Sequence, residues 1–96
     1  MRADYDSEAD ALDIELTPFK YFERQEQVHD SYCTVGSSDG RLVDVELLNP
    51  AEQLSLLHVV ADRYDLDGEA LLAAAQAALA APDRVVDLEV SAQIAA

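Results

Sequence analysis

The residues best equipped for chemistry are carboxylates, and they fall in two runs. Asp4, Asp6, Glu8 and Asp10 alternate along the chain, and Glu15 stands at the twelfth position counted from Asp4. That spacing imitates a calcium loop, which offers hard oxygen donors to a divalent cation. The sixth position of such a loop needs glycine for its sharp turn. Here it is Ala9. The flanks alternate like strands, whereas a calcium loop is flanked by helices. The run therefore reads as a turn crowded with carboxylates. The second run is Asp62, Asp65, Asp67 and Glu69. Helix ends explain it better, because acidic groups are favoured at a helix N-terminus.

Nucleophilic chemistry has thinner support. Cys33 lies between Tyr32 and Thr34 in a β-rich stretch, where a lone cysteine is usually a small buried hydrophobe. His58 and Asp62 stand one helical turn apart and have the spacing of any surface pair. His29 and His58 with one distant cysteine do not make a zinc signature. The chain has no serine-nucleophile motif, phosphate-binding glycine loop or dinucleotide fingerprint. The expectation is a protein with no catalytic, metal or cofactor-binding residues, and not an enzyme.

The elements that would position these groups follow from periodicity. Arg2 to Asp6 suits a short strand. Ala11 to Leu16 alternates, with Leu12, Ile14 and Leu16 on one face and Asp13 and Glu15 on the other. Thr17-Pro18 ends it. Lys20 to Val28 is read as an exposed edge strand, followed by a turn at His29-Asp30, though its polar run also allows a helix. Ser31 to Val35 is a further strand, and Gly36 to Gly40 a hairpin turn using two glycines. Arg41 to Leu48 alternates again, with Val43, Val45 and Leu47 opposed to Asp44 and Glu46. Asn49 caps a helix begun by Pro50, with Glu52 reaching back, and that helix should run to Tyr64. Asp67 caps a second, Ala-rich helix over Glu69 to Ala80, with Leu66 and Leu71 as a hydrophobic staple. Pro82-Asp83 ends it. Val85 to Val90 is a last strand, and Ser91 to Ala96 a frayed tail.

Strands first and helices later predict an α+β fold. Residues 1–48 form an antiparallel β-meander of four to five strands. Residues 49–96 add two helices and a C-terminal strand, and the whole is read as one domain. With 96 residues, half of them apolar but few aromatic, the core must be aliphatic. So small a domain is often marginal alone, which points to a homodimer.

Charge bounds the partners. Against 20 acidic residues stand 6 basic ones, for a net charge of −14, and the bases are scattered singly. Nucleic acid and anionic membranes need clustered Lys and Arg and are disfavoured. A basic protein would be attracted. Solubility or life in high salt is the plainer account of the acidity. One cysteine allows no internal disulfide, and the start of the chain lacks a signal-peptide core. No apolar run is long enough to span a bilayer. A cytoplasmic location is expected.

Two blocks carry a resemblance. Tyr5-Asp6-Ser7-Glu8-Ala9-Asp10-Ala11-Leu12-Asp13-Ile14-Glu15-Leu16 and Asp39-Gly40-Arg41-Leu42-Val43-Asp44-Val45-Glu46-Leu47-Leu48-Asn49 together resemble the small prokaryotic family named domain of unknown function 2283. The likeness covers the first half of the chain. Asp13 stands where the family usually has tyrosine, and Asp44 where it has glycine; both are expected to add charge to a strand's outer face. The resemblance implies a β-meander with a following helix and no established catalytic residues. It also implies an antitoxin-like role beside a small basic toxin.

Overall fold

A computed structural model of the chain describes residues 1–89 and 91–92. It is an α+β fold built on one six-stranded antiparallel sheet. The strands are β1 (Arg2–Asp6), β2 (Ala11–Glu15), β3 (Arg24–His29), β4 (Cys33–Ser38), β5 (Arg41–Leu48) and β6 (Val85–Asp87). Their spatial order is β3-β4-β5-β2-β1-β6. Between β5 and β6 lie α1 (Pro50–Gln53), α2 (Leu56–Tyr64) and α3 (Gly68–Ala80).

The alternating sequences pack as their period requires. Leu12, Ile14, Val45 and Leu47 are fully buried on one face of the sheet, joined by Ala3, Cys33 and Val35. Helices α2 and α3 close that face through Leu57, Val60, Leu71, Ala74, Ala75 and Ala78. The alanines of α3 bring its axis close to β1 and β2, since a small side chain leaves little standing between backbones. Each strand's alternate residues point to the opposite, outer face.

Two strands bound the sheet. Edge strand β3 is short, polar and exposed, as befits an edge. It begins at Arg24 rather than Lys20, because Phe19 and Phe22 fold into a stacked pair with ring centroids 4.7 Å apart. At the other edge, β6 pairs antiparallel with β1 from Arg2↔Asp87 to Asp4↔Val85. Met1 and Leu88 extend that ladder with reciprocal backbone hydrogen bonds of 3.0 and 2.7 Å. The strand ends at Asp87, shorter than the Val85–Val90 expected; Val90 lies outside the described residues, as do residues 93–96 of the expected tail. Ala92 belongs to the core, and its carbonyl accepts from the Asp67 N–H at 2.6 Å, so this part of the tail is not frayed.

Three further expectations change. The helix expected from Pro50 to Tyr64 is two pieces. Leu54 and Ser55 keep right-handed dihedrals, but Leu57 and His58 donate three residues back, to Leu54 and Ser55, so the ladder tightens to 3₁₀ spacing there. Asn49 adopts a left-handed conformation (φ 48°) and makes no side-chain cap. Gly36 lies inside β4, not in the hairpin turn. The turn is Asp39-Gly40 alone, with φ of 54° and 74°, the pair of positive angles a two-residue hairpin demands.

Candidate functional site

The calcium-like run is dispersed by its own turn. Asp6 accepts from the backbone N–H groups of Glu8 and Ala9 at 3.0 and 3.1 Å. Asp10 takes a left-handed φ of 53° and accepts from the Tyr5 hydroxyl at 2.7 Å. From the adjoining α3–β6 connection, Asp83 receives the Ser7 N–H and hydroxyl at 2.9 and 2.7 Å, which hold its carboxyl below the ordinary range. These carboxylates bind backbone and hydroxyl groups, and they do not converge. The second run is likewise spent on helix ends. Asp65 closes α2 with φ 55°, and Asp67 caps α3 by accepting from Glu69 and Ala70. Leu66 is partly buried against the core cluster to which Leu71 belongs.

The nucleophile candidates stay apart. Cys33 is buried against the core, and that burial pushes its thiol up to about 11, with Arg63 opposing weakly. A thiol so held is a poor nucleophile near neutrality. His58 is exposed on α2, where it packs over Gly68 and makes neither hydrogen bond nor ion pair with Asp62. His29 lies far along the chain, its ring tilted against Tyr32.

A different group of carboxyls does come together, on the outer face of the sheet. Register places Asp4, Asp13 and Glu46 in one row across β1, β2 and β5. The next row along the strands holds Arg2, Glu15 and Asp44. Directly opposed residues in such a sheet stand about 5 Å apart, and like charges so opposed are destabilising. The repulsion is felt: Asp4 is raised above the usual carboxylate range by burial first, then by Asp13 and Asp6. Arg2 is the one base in these rows. It is tied to Asp87 at 3.0 Å, at the β6 edge.

Asp44 is the exceptional member. Expected as a solvent-facing charge, it is only 4 % exposed. The cause lies next door. Its register partner on β4 is Gly36, and the Phe22 ring presses so close to Gly36 that an added Cβ would stand 2.4 Å from Cδ1. Phe22, from the β2–β3 connection, thus lies on the sheet at the position next to Asp44. Burial raises that carboxyl to about 9, followed by a hydrogen bond shared with Asp13 and by the charges of Asp13, Glu46 and Glu15. No base acts on it. At neutral pH Asp44 therefore keeps its proton and can donate it to Asp13. Its Oδ1 has no hydrogen-bond partner among the described residues.

The rows exclude some chemistry. Carboxylates spaced by the strand separation and by two residues along a strand are spread out rather than convergent. Among the described residues no three His, Cys, Asp or Glu side chains are placed to hold a metal ion. A groove of about 390 Å³ beside the face is lined by Phe19, Lys20, Tyr21, Glu23, Asp39 and Arg41. It mixes both signs of charge and selects neither. No described helix is long and apolar enough to cross a membrane. Comparison of the chain with protein-family models, curated proteins and solved structures finds no match.

Proposed function

We propose that this chain is a non-enzymatic interaction protein that binds a basic protein partner. The observation that carries the reading is how little of the acidity is neutralised by bases within the chain. The net charge is −14, yet Arg2–Asp87 is the one ion pair among the described residues. Charge left unneutralised on a folded surface costs self-repulsion and attracts oppositely charged partners over long range. The buried, protonated thiol of Cys33 and the isolated His58 support a role without covalent catalysis. The resemblance to the unknown-function family extends the reading to neutralisation of a small basic toxin, in a cytoplasmic setting.

The test is isolation of the complex. The tagged chain, recovered from its native host at low salt, should bring down a basic protein. The two purified proteins should then re-form a complex of defined stoichiometry that weakens as salt rises. Failure to recover or rebuild any such complex at low or high salt would refute the reading.

A homodimer is the second reading, and the open edge of β3 favours it, because unpaired strand edges template further pairing. Light scattering at micromolar concentration decides it: a monomer removes this reading.

A further inference from the structure

The outer face breaks a rule that the rest of the fold obeys. Elsewhere acids such as Asp6, Asp10, Asp67 and Asp83 accept hydrogen bonds in turns and caps. Here Asp4, Asp13 and Glu46 are lined up across adjacent strands, and a fourth carboxyl, Asp44, is buried among them. Like charges set opposite one another weaken a sheet. Sites where a sequence works against its own stability are where function is expected.

Geometry and charge exclude three occupants. A single metal ion needs convergent ligands, and these are spread along strands. A second copy of this chain brings the same charge of −14 to the contact. Nucleic acid is repelled. A row of separate cations fits. Guanidinium groups suit it best, because each is planar, always charged and able to bridge neighbouring carboxylate oxygens. Helices α2 and α3 cover the opposite face of the sheet, and the rows stay partly or fully open apart from Asp44.

We propose that the outer face of β1, β2 and β5 is the docking surface for an arginine-rich segment of a basic protein, engaged by Asp4, Asp13 and Glu46, with Asp44 as a buried carboxyl that reinforces the row. The proposal rests on the reading of the chain as a binder of basic protein. Asp44 is the independent sign of a ligand: a side chain 96 % hidden, with one oxygen unpartnered, set against Asp13, Glu15 and Glu46. The charged groups that act on it are Asp13 and Glu15 from β2 and Glu46 from β5; Gly36 stands opposite it on β4, under the uncharged ring of Phe22. A cation docked on Asp13 offsets one of the charges that keep Asp44 protonated, so Asp44 gives up its proton to solvent more readily with the ligand bound.

The probe is a hexa-arginine peptide with an acetylated N-terminus and an amidated C-terminus, so that its charge rests on guanidinium groups alone and is constant from pH 7 to pH 10. Two variants remove equal charge from different faces: Asp13→Asn with Glu46→Gln on the sheet, and Asp62→Asn with Glu69→Gln on the helices. The sheet variant should lose about ten-fold in affinity at low salt, and the helix variant less than about two-fold. Equal losses would overturn the proposal and leave a diffuse polyanion. No binding of the peptide at low salt would sink the wider reading of the chain as a binder. A second measurement follows affinity from pH 7 to pH 10. It should rise about three-fold or more in the wild type, as Asp44 ionises, and stay flat in Asp44→Asn. A flat wild-type profile would remove Asp44 from the docking surface.

Discussion

At neutral pH the Asp44 carboxyl holds its proton in the folded chain and releases it in the unfolded one. Its folded value, about 9, lies above the ordinary 3.8. The sign of the linkage follows. The contribution to stability is fully present below about pH 4, declines as the unfolded state ionises, and is wholly lost once pH passes about 9. An amide at this position mimics the protonated acid and can still donate to Asp13. Asp44→Asn should therefore raise stability by about 1–3 kcal/mol at pH 8, with the gain shrinking to nothing as pH falls to 4. Urea unfolding at several pH values measures it; a gain independent of pH would mean that Asp44 is ionised in the fold. Alternation along β5 gives Asp44 the same solvent-facing place as Glu46. Period-2 alternation assigns a residue to a face and does not say what else lies on that face. The cover comes from Phe22, in a segment whose polar stretch invited a strand instead.

Among the elements, legibility tracked how local the determining forces are. β2 and β5 were plain because their alternating apolar residues face one core. Helix α3 was plain too, since Asp67 caps it and alanine favours it. The β2–β3 connection was not, because Phe19 and Phe22 are placed by each other and by Gly36, all outside any repeating pattern. The break between α1 and α2 was equally hidden: Leu54 and Ser55 are acceptable in a continuous helix. Gly36 looked like a turn glycine, yet its lack of a side chain serves the packing of a ring. Gly36→Ala should cost about 1–3 kcal/mol through displacement of Phe22, and the cost should shrink in the Phe22→Ala background. Thermal unfolding of both single variants and the double variant supplies the cycle. An unchanged cost in the double variant would place the strain elsewhere.

For the whole molecule, the acids that served as neither caps nor turn formers were placed by topology. The sequence shows Asp4, Asp13 and Glu46 as separate polar positions in three strands. Only the order β1-β2-β5 makes them neighbours, and that order depends on the β2–β3 connection crossing β5 and β4. With a net charge of −14 and little internal pairing, the folded chain repels itself. Added sodium chloride screens this, so the melting temperature should rise by about 5 °C or more between low and roughly 0.5 M salt. Calorimetry reads the shift, and a fall with salt would show that attractive pairs dominate after all. The pairing of β1 with β6 has its own consequence, in time rather than in space. Strand β1 leaves the ribosome early, and its outer neighbour is synthesised about eighty residues later. Until then the edge of β1 lacks its native partner and stands open to wrong ones. Closing a loop of that length makes completion of the sheet a late, slow event. Asp4 and Asp6 lie on that strand, and their charge disfavours pairing the unfinished edge with another acidic one.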